Sequence, residues 1–256
     1  MTATTKLHEY PLNESTRILM RLEQSFMQVR HFRADNSQWG KQALLANIAE
    51  ILSILDRNDL RQILCKEIER QLNKFQQFNN TPNVNTQKLE HLLCELNKQY
   101  NRICSISSKI SRQIREGDEL LLAILQRANP SSVLNNFEIP QLYYWLSQDL
   151  HLQEHNINEW MYKLSPIEDA INLLLRLMRH CATFELRTAT NGLYQEPLNP
   201  QSKCQMVRLK LQGDGYIPEV SGGKHRISLR FLQAINSTGQ QLIDASFSFY
   251  LAYCFA

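Results

Sequence analysis

The spacing of apolar residues changes once along this chain, and that change limits what it can become. Up to about residue 181, apolar side chains recur every three or four positions; beyond it they alternate. The first spacing lines up side chains on one stripe of a helix, and the second puts them on one face of a strand. Separate blocks of the two patterns point to an α+β chain. We expect an N-terminal antiparallel helical bundle over residues 12–181. A C-terminal antiparallel β-domain is expected over 182–256, with 5–11 as a candidate edge strand joining it.

In the first block, Asn13 can cap a helix carrying Leu19, Leu22, Phe26 and Val29. Ser37 opens a second helix with Leu44, Leu45, Ile48 and Leu52, and Asn58 or Asp59 a third with Leu60, Leu64, Ile68 and Leu72. The run NNTPNVN at 79–85 is a loop by composition, and a fourth helix follows with Leu89, Leu96 and Ile103. Two shorter helices are expected near 107–116 and 118–128, and a short strand near 133–139. Pro140 suits the first position of a helix reaching Trp145, and another helix covers about 155–163, although Asn156 and Asn158 also suggest a loop. Ser165-Pro166-Ile167-Glu168 has the form of a capping box, predicting that a new helix starts there and ends near Cys181.

In the second block, Val207, Leu209 and Leu211 alternate with polar residues, as do Ile227, Leu229 and Phe231, and then Ile243 through Tyr253. These predict three strands, whose apolar face needs cover from helices or from other strands.

Composition narrows the function classes. The net charge of +3 over 256 residues is too small to make duplex nucleic acid the default partner. Six cysteines stand at 65, 94, 104, 181, 204 and 254 with no C-x-x-C pair. The opening MTATTKLHEY lacks a hydrophobic signal region, so the thiols read as reduced and the protein as soluble and cytoplasmic. No apolar run approaches the roughly 18 residues of a membrane span.

Catalytic motifs are weak. His151, Glu154 and His155 match H-x-x-E-H, but no third zinc ligand follows from the sequence. Gly222-Gly223-Lys224 lacks the upstream glycine and following Ser or Thr of a phosphate loop, and reads as a turn before a strand. With no nucleophile elbow and no distinctive carboxylate pair, nothing argues for an enzyme, a cofactor or a resident metal.

The basic residues carry more. In GGKHRISLRF at 222–231, Arg226 and Arg230 fall on the face opposite Ile227, Leu229 and Phe231, with Lys224 and His225 on the preceding turn. Such a stripe can grip a carboxylate-bearing peptide or a phosphate, and it can equally be a solvated face. A nucleic-acid-binding protein using the same strand is the alternative, disfavoured by the lack of interleaved aromatics. Arg17 and Arg21 share a helical face, where like charges four apart mildly destabilise unless an acidic neighbour or ligand answers them.

Five segments resemble, in order and spacing, the ZapD family of Z-ring-associated cell-division proteins. They are HEYPLNESTRILMRLE at 8–23, NIAEILSILDRNDLR at 47–61, IPQLYYWL at 139–146, NGLYQ at 191–195 and SGGKHRISLRF at 221–231. The resemblance implies a helical domain plus a β-domain, a homodimer, and no cofactor or catalysis. It also implies binding to the C-terminal tail of FtsZ, the tubulin-like division GTPase, and bundling of its filaments at the mid-cell ring. Carried over motif by motif, the basic positions for the tail are Arg17, Arg21, Arg57, Arg226 and Arg230, with Lys224 beside them. Two positions depart from a family member: Glu119 stands in place of an arginine and Tyr143 in place of a histidine.

Overall fold

The computed structural model describes residues 5–255 apart from 83, 128–136, 200, 202, 214, 224 and 235–238. Among the described residues the helices are α1 (Glu14–Arg33), α2 (Gln38–Arg57), α3 (Leu60–Gln76), α4 (Thr86–Ser105), α5 (Ile110–Arg115), α6 (Glu119–Arg127), α7 (Pro140–Leu146) and α8 (Leu150–His180). The strands are β1 (Thr5–Pro11), β2 (Glu185–Ala189), β3 (Leu193–Pro197), β4 (Cys204–Gln212), β5 (Tyr216–Gly222), β6 (Arg226–Ala234), β7 (Gln240–Leu242) and β8 (Phe247–Phe255). The α+β class follows directly. Two compact units form. One takes the residues up to Arg17 and those from Leu175 onward; the other takes Ile18–Leu174.

In the helical unit the starts are set by side-chain caps. Ser37 accepts from the Gly40 amide at 3.0 Å, and Asp59, rather than Asn58, accepts from Gln62 at 3.1 Å. Each satisfies an amide that the first helical turn leaves without a partner. Helix α2 is buried nearly all round, through Leu44, Leu45, Ile48, Ile51, Leu52 and Ile54, as expected of a helix at the centre of a bundle. Helices α3 and α4 run antiparallel. Arg61 reaches the Cys104 carbonyl at 2.7 Å, while Tyr100 reaches Glu69 at 2.5 Å.

One expected break is absent. Helix α8 runs unbroken from Leu150 to His180 with Pro166 inside it, so Ser165-Pro166-Ile167-Glu168 does not start a helix, and Asn156 and Asn158 are not in a loop. Proline has no N–H to donate to the carbonyl four residues back. Here that carbonyl belongs to Tyr162, and the Ser165 hydroxyl donates to it at 2.9 Å. Buried Trp160, Leu164, Ile167 and Ile171 carry the apolar stripe across the proline, and that burial outweighs the lost bond. The strand expected near 133–139 falls largely outside the described residues. Phe137 and Glu138 form a turn, and Ile139 stands at the N-cap of α7.

The β-unit has more strands than the three anticipated. Two sheets form, with orders β1-β4-β8-β2 and β3-β6-β5, and β7 pairs with β6 alongside β3. Every pairing is antiparallel. The sheets share one core. Val207, Leu209, Leu211, Phe249 and Leu251 from the first meet Ile227, Leu229 and Phe231 from the second. The apolar face of each sheet is therefore covered by the other. Phe231 packs edge-on against Phe247 with centroids 4.9 Å apart. The alternation from Ile243 to Tyr253 is not one strand; β7 ends at Leu242 and β8 begins at Phe247. Gly192 permits that arrangement. Its φ is +68°, and a Cβ there would lie 2.5 Å from the Ile243 carbonyl oxygen. Only glycine allows the β2–β3 turn to press against the backbone at that corner.

Among the described residues no helix is long and apolar enough to cross a membrane.

Candidate functional site

Strand β6 lies at the centre of its sheet, bonded to β5 on one side and to β3 and β7 on the other. Ile227, Leu229 and Phe231 are fully buried, which forces Arg226, Ser228 and Arg230 onto the opposite face. That face is open: Arg226, Arg230, Gln195, Pro197, Glu219 and Ser221 are all exposed. The register lays out the surface. Pro197 stands opposite Arg226, Gln195 and Ser221 flank Ser228, and Leu193 and Glu219 flank Arg230. Gln195 Nε2 donates to Ser228 Oγ at 3.2 Å. Arg226 and Arg230 are four residues apart, hence about 13 Å along the strand.

The charges on this face are weakly answered. Arg230 comes within 3.8 Å of Glu219, with both side chains more than half exposed. A pair this long and wet contributes about 1 kcal/mol at most. Arg226 forms no ion pair with a described residue. Both guanidinium forks are available to a carboxylate that can accept two parallel hydrogen bonds.

The turn before β6 is held on three sides. The Leu198 amide donates to the His225 carbonyl at 2.8 Å, and the Gly223 amide to the Arg226 carbonyl at 3.1 Å. Leu12 packs on Gly222, where a Cβ would meet its Cδ2 at 2.6 Å. The start of α1 is fastened in the same unit. Asn13 caps the Thr16 amide at 2.8 Å and donates to Gln205 at 2.6 Å. The first turn of α1, with Arg17, is thus anchored to β4 through Asn13, the residue after Leu12. Lys224 lies outside the described residues.

The other basic positions differ in setting. Arg17 is half-exposed, 3.5 Å from Glu14. Arg21 meets Glu50 at 2.5 Å, so acidic neighbours for the Arg17–Arg21 spacing come from Glu14 and from Glu50 on α2. Arg57, the last residue of α2, donates to Ser53 at 2.7 Å. Arg21 and Arg57 belong to the helical unit. Glu119 opens α6 and is exposed, and Tyr143 on α7 is exposed as well. Glu154 of the H-x-x-E-H segment accepts from Arg33 at 2.7 Å.

A polar cluster pins β3, one flank of the open face, to the opposite sheet. Tyr194 and Glu196 come from β3, Arg187 from β2 and Tyr253 from β8. Both tyrosine hydroxyls donate to Glu196, that of Tyr253 at 2.5 Å. Burial pushes the Glu196 carboxyl up, but the two hydroxyls and the Arg187 guanidinium outweigh it and hold the group below its ordinary value. Burial and the bond to Glu196 push the Tyr194 phenol up to about 12.

Sequence reasoning placed Arg226 and Arg230 on one exposed face but overlooked Leu193 and Glu219 beside them. Their strands show no clean alternation, so which residues would flank Arg230 was not legible.

Residues 20–230 match the family model described as "ZapD: Cell division protein". The "Cell division protein ZapD" of Methylococcus capsulatus is 30% identical over 249 residues, covering 97% of both chains. That of Pectobacterium atrosepticum is 32% identical over 253 residues, 98% of each, and that of Coxiella burnetii 31% over 258 residues, 99% of each. With a family model matching most of its length and full-length relatives above 30% identity, this chain belongs to the ZapD family of cell division proteins.

Proposed function

We propose that this chain is a non-enzymatic division factor that binds the C-terminal tail of FtsZ through the open face of β6. As a cytoplasmic homodimer at mid-cell it cross-links FtsZ filaments into bundles and stabilises the ring. It needs no cofactor, does not insert in the membrane and does not use nucleic acid as partner. The observation that carries this reading is the pair Arg226 and Arg230, exposed on one sheet face with a single weak internal partner between them. An acidic, apolar and disordered tail is matched by guanidinium forks on a rigid sheet, and only the tail has to be ordered on binding. Arg17, Arg21, Arg57 and Lys224 are further basic contacts for the tail under the same reading.

The test is co-sedimentation with FtsZ filaments and with filaments lacking the tail. The native protein pellets with the former and stays in solution with the latter. Arg226→Ala combined with Arg230→Ala lowers pelleting about tenfold or more, at roughly one decade per 1.4 kcal/mol of lost contact, while the thermal transition is unchanged. Equal pelleting with tailless filaments would overturn the reading, as would normal bundling by the double variant.

A further inference from the structure

The face around Arg230 is not uniformly basic. Leu193 stands directly across from it on β3, and Glu219 directly across on β5. Opposed side chains on neighbouring strands lie about 5 Å apart at Cβ, within reach of one bound residue and its neighbour. Leu193 is 42% exposed, an apolar side chain left open on a sheet surface. The next row along the same face is apolar, with half-buried Ile217 and Leu242 on either side of Leu232, which is itself buried. Basic and apolar ground therefore meet at Arg230. Glu219 is the only described residue that forms an ion pair with either arginine of the face, and it does so at 3.8 Å, too long for a good hydrogen bond.

We infer that Arg230, Leu193 and Glu219 form one specificity subsite, which takes an acidic residue together with an adjacent apolar side chain from an extended peptide. Arg230 binds the carboxylate, exposed Leu193 covers the apolar group, and Glu219 competes with the ligand for the guanidinium. This rests on the reading that the face binds the FtsZ tail. Glu219 holds Arg230 in place when the peptide is absent and sets a ceiling on affinity when it is present. A purely acidic peptide gains the charge contact alone, and a purely apolar one leaves Glu219 paired and gains nothing from Arg230. Discrimination then comes from requiring both. Two such contacts also respond differently to salt. The ionic contact is screened over a Debye length of about 8 Å at physiological ionic strength, while apolar burial is not.

The experiment is fluorescence anisotropy of a labelled synthetic FtsZ tail peptide with the full chain, at low and at high salt. Glu219→Gln tightens binding roughly fivefold at low salt, by removing the internal competitor. Leu193→Ser weakens it about five- to tenfold at both salt concentrations. A peptide whose apolar residues are replaced by serine binds native protein and Leu193→Ser equally, an outcome that a merely structural role for Leu193 does not produce. Both residues are exposed, so thermal transitions of the variants match the native one. If Leu193→Ser and Glu219→Gln bind as the native protein does while the Arg226→Ala, Arg230→Ala variant fails, the subsite is wrong and tail binding stands. If the double arginine variant binds normally, the tail reading and the subsite fall together.

Discussion

At the residue scale, the Glu196 carboxylate is the group on which the flank of the open β6 face depends. It accepts from Tyr194 and Tyr253 and faces Arg187, joining an edge strand of one sheet to two strands of the other. Because its folded value is depressed, the native state releases this proton more readily than the unfolded chain. The stabilisation is therefore fully present above the unfolded value of about 4.3, and is lost as pH falls through the folded one. Glu196→Gln keeps the shape but removes the charge from bonds that favour it. We expect a loss of about 1 kcal/mol at neutral pH, narrowing towards zero at an acid pH below the folded value. Urea unfolding of both proteins at the two pH values measures this. A gap that stays constant with pH would mean that the charge is not what holds the cluster. Native anchoring of β3 also sets where Leu193 and Gln195 stand beside β6, since all belong to one strand.

At the element scale, long α8 and the short edge strands departed furthest from expectation, each for a different reason. The local sequence at 165–168 has the form of a helix start, and proline favours a first-turn position. Burial on both sides of Pro166 nevertheless keeps the helix continuous, with Ser165 answering the freed Tyr162 carbonyl. A proline in a helix interior costs about 3 kcal/mol, partly offset by the rigidity it gives the unfolded chain. Pro166→Ala is therefore expected to raise the thermal midpoint, by an amount corresponding to about 1–2 kcal/mol. At a true first-turn position the same change would leave the midpoint unmoved or lower it, so differential scanning calorimetry separates the two. Strands β2, β3 and β5 were missed because all three lie at sheet edges. An edge strand with an open outer face need not alternate cleanly: Leu193 is apolar yet outward, and β5 carries Pro218, which an edge tolerates. Central strands β4, β6 and β8 each have neighbours on both sides and a buried face, and they were the three whose pattern was legible.

At the scale of the whole molecule, a weak single site becomes effective only through multiplicity. The proposed contact on each chain is a few exposed side chains with a disordered ligand, so its own affinity is modest. A homodimer presenting two such faces to filaments that carry many tails gains an effective concentration, and with it about 10²-fold or more in apparent affinity. We expect apparent binding to filaments to exceed binding to the isolated tail peptide by that order, and to fall more steeply with salt, since each added contact is screened alike. Anisotropy with the peptide and co-sedimentation with filaments, both from 50 to about 300 mM salt, compare the two; equal affinities would exclude a bivalent cross-linker. The division into a helical and a β-block, the caps at Asn13 and Ser37, the cap of α3 as either Asn58 or Asp59, and the outward placement of Arg226 and Arg230 were all legible in the chain. They depend on local periodicity and on hydrogen bonds closed within a few residues. The continuity of α8, the pairing of two sheets face to face, and the setting of Leu193 and Glu219 against Arg230 were decided only by the tertiary structure. Each depends on partners distant along the chain, whose register and burial no local pattern carries.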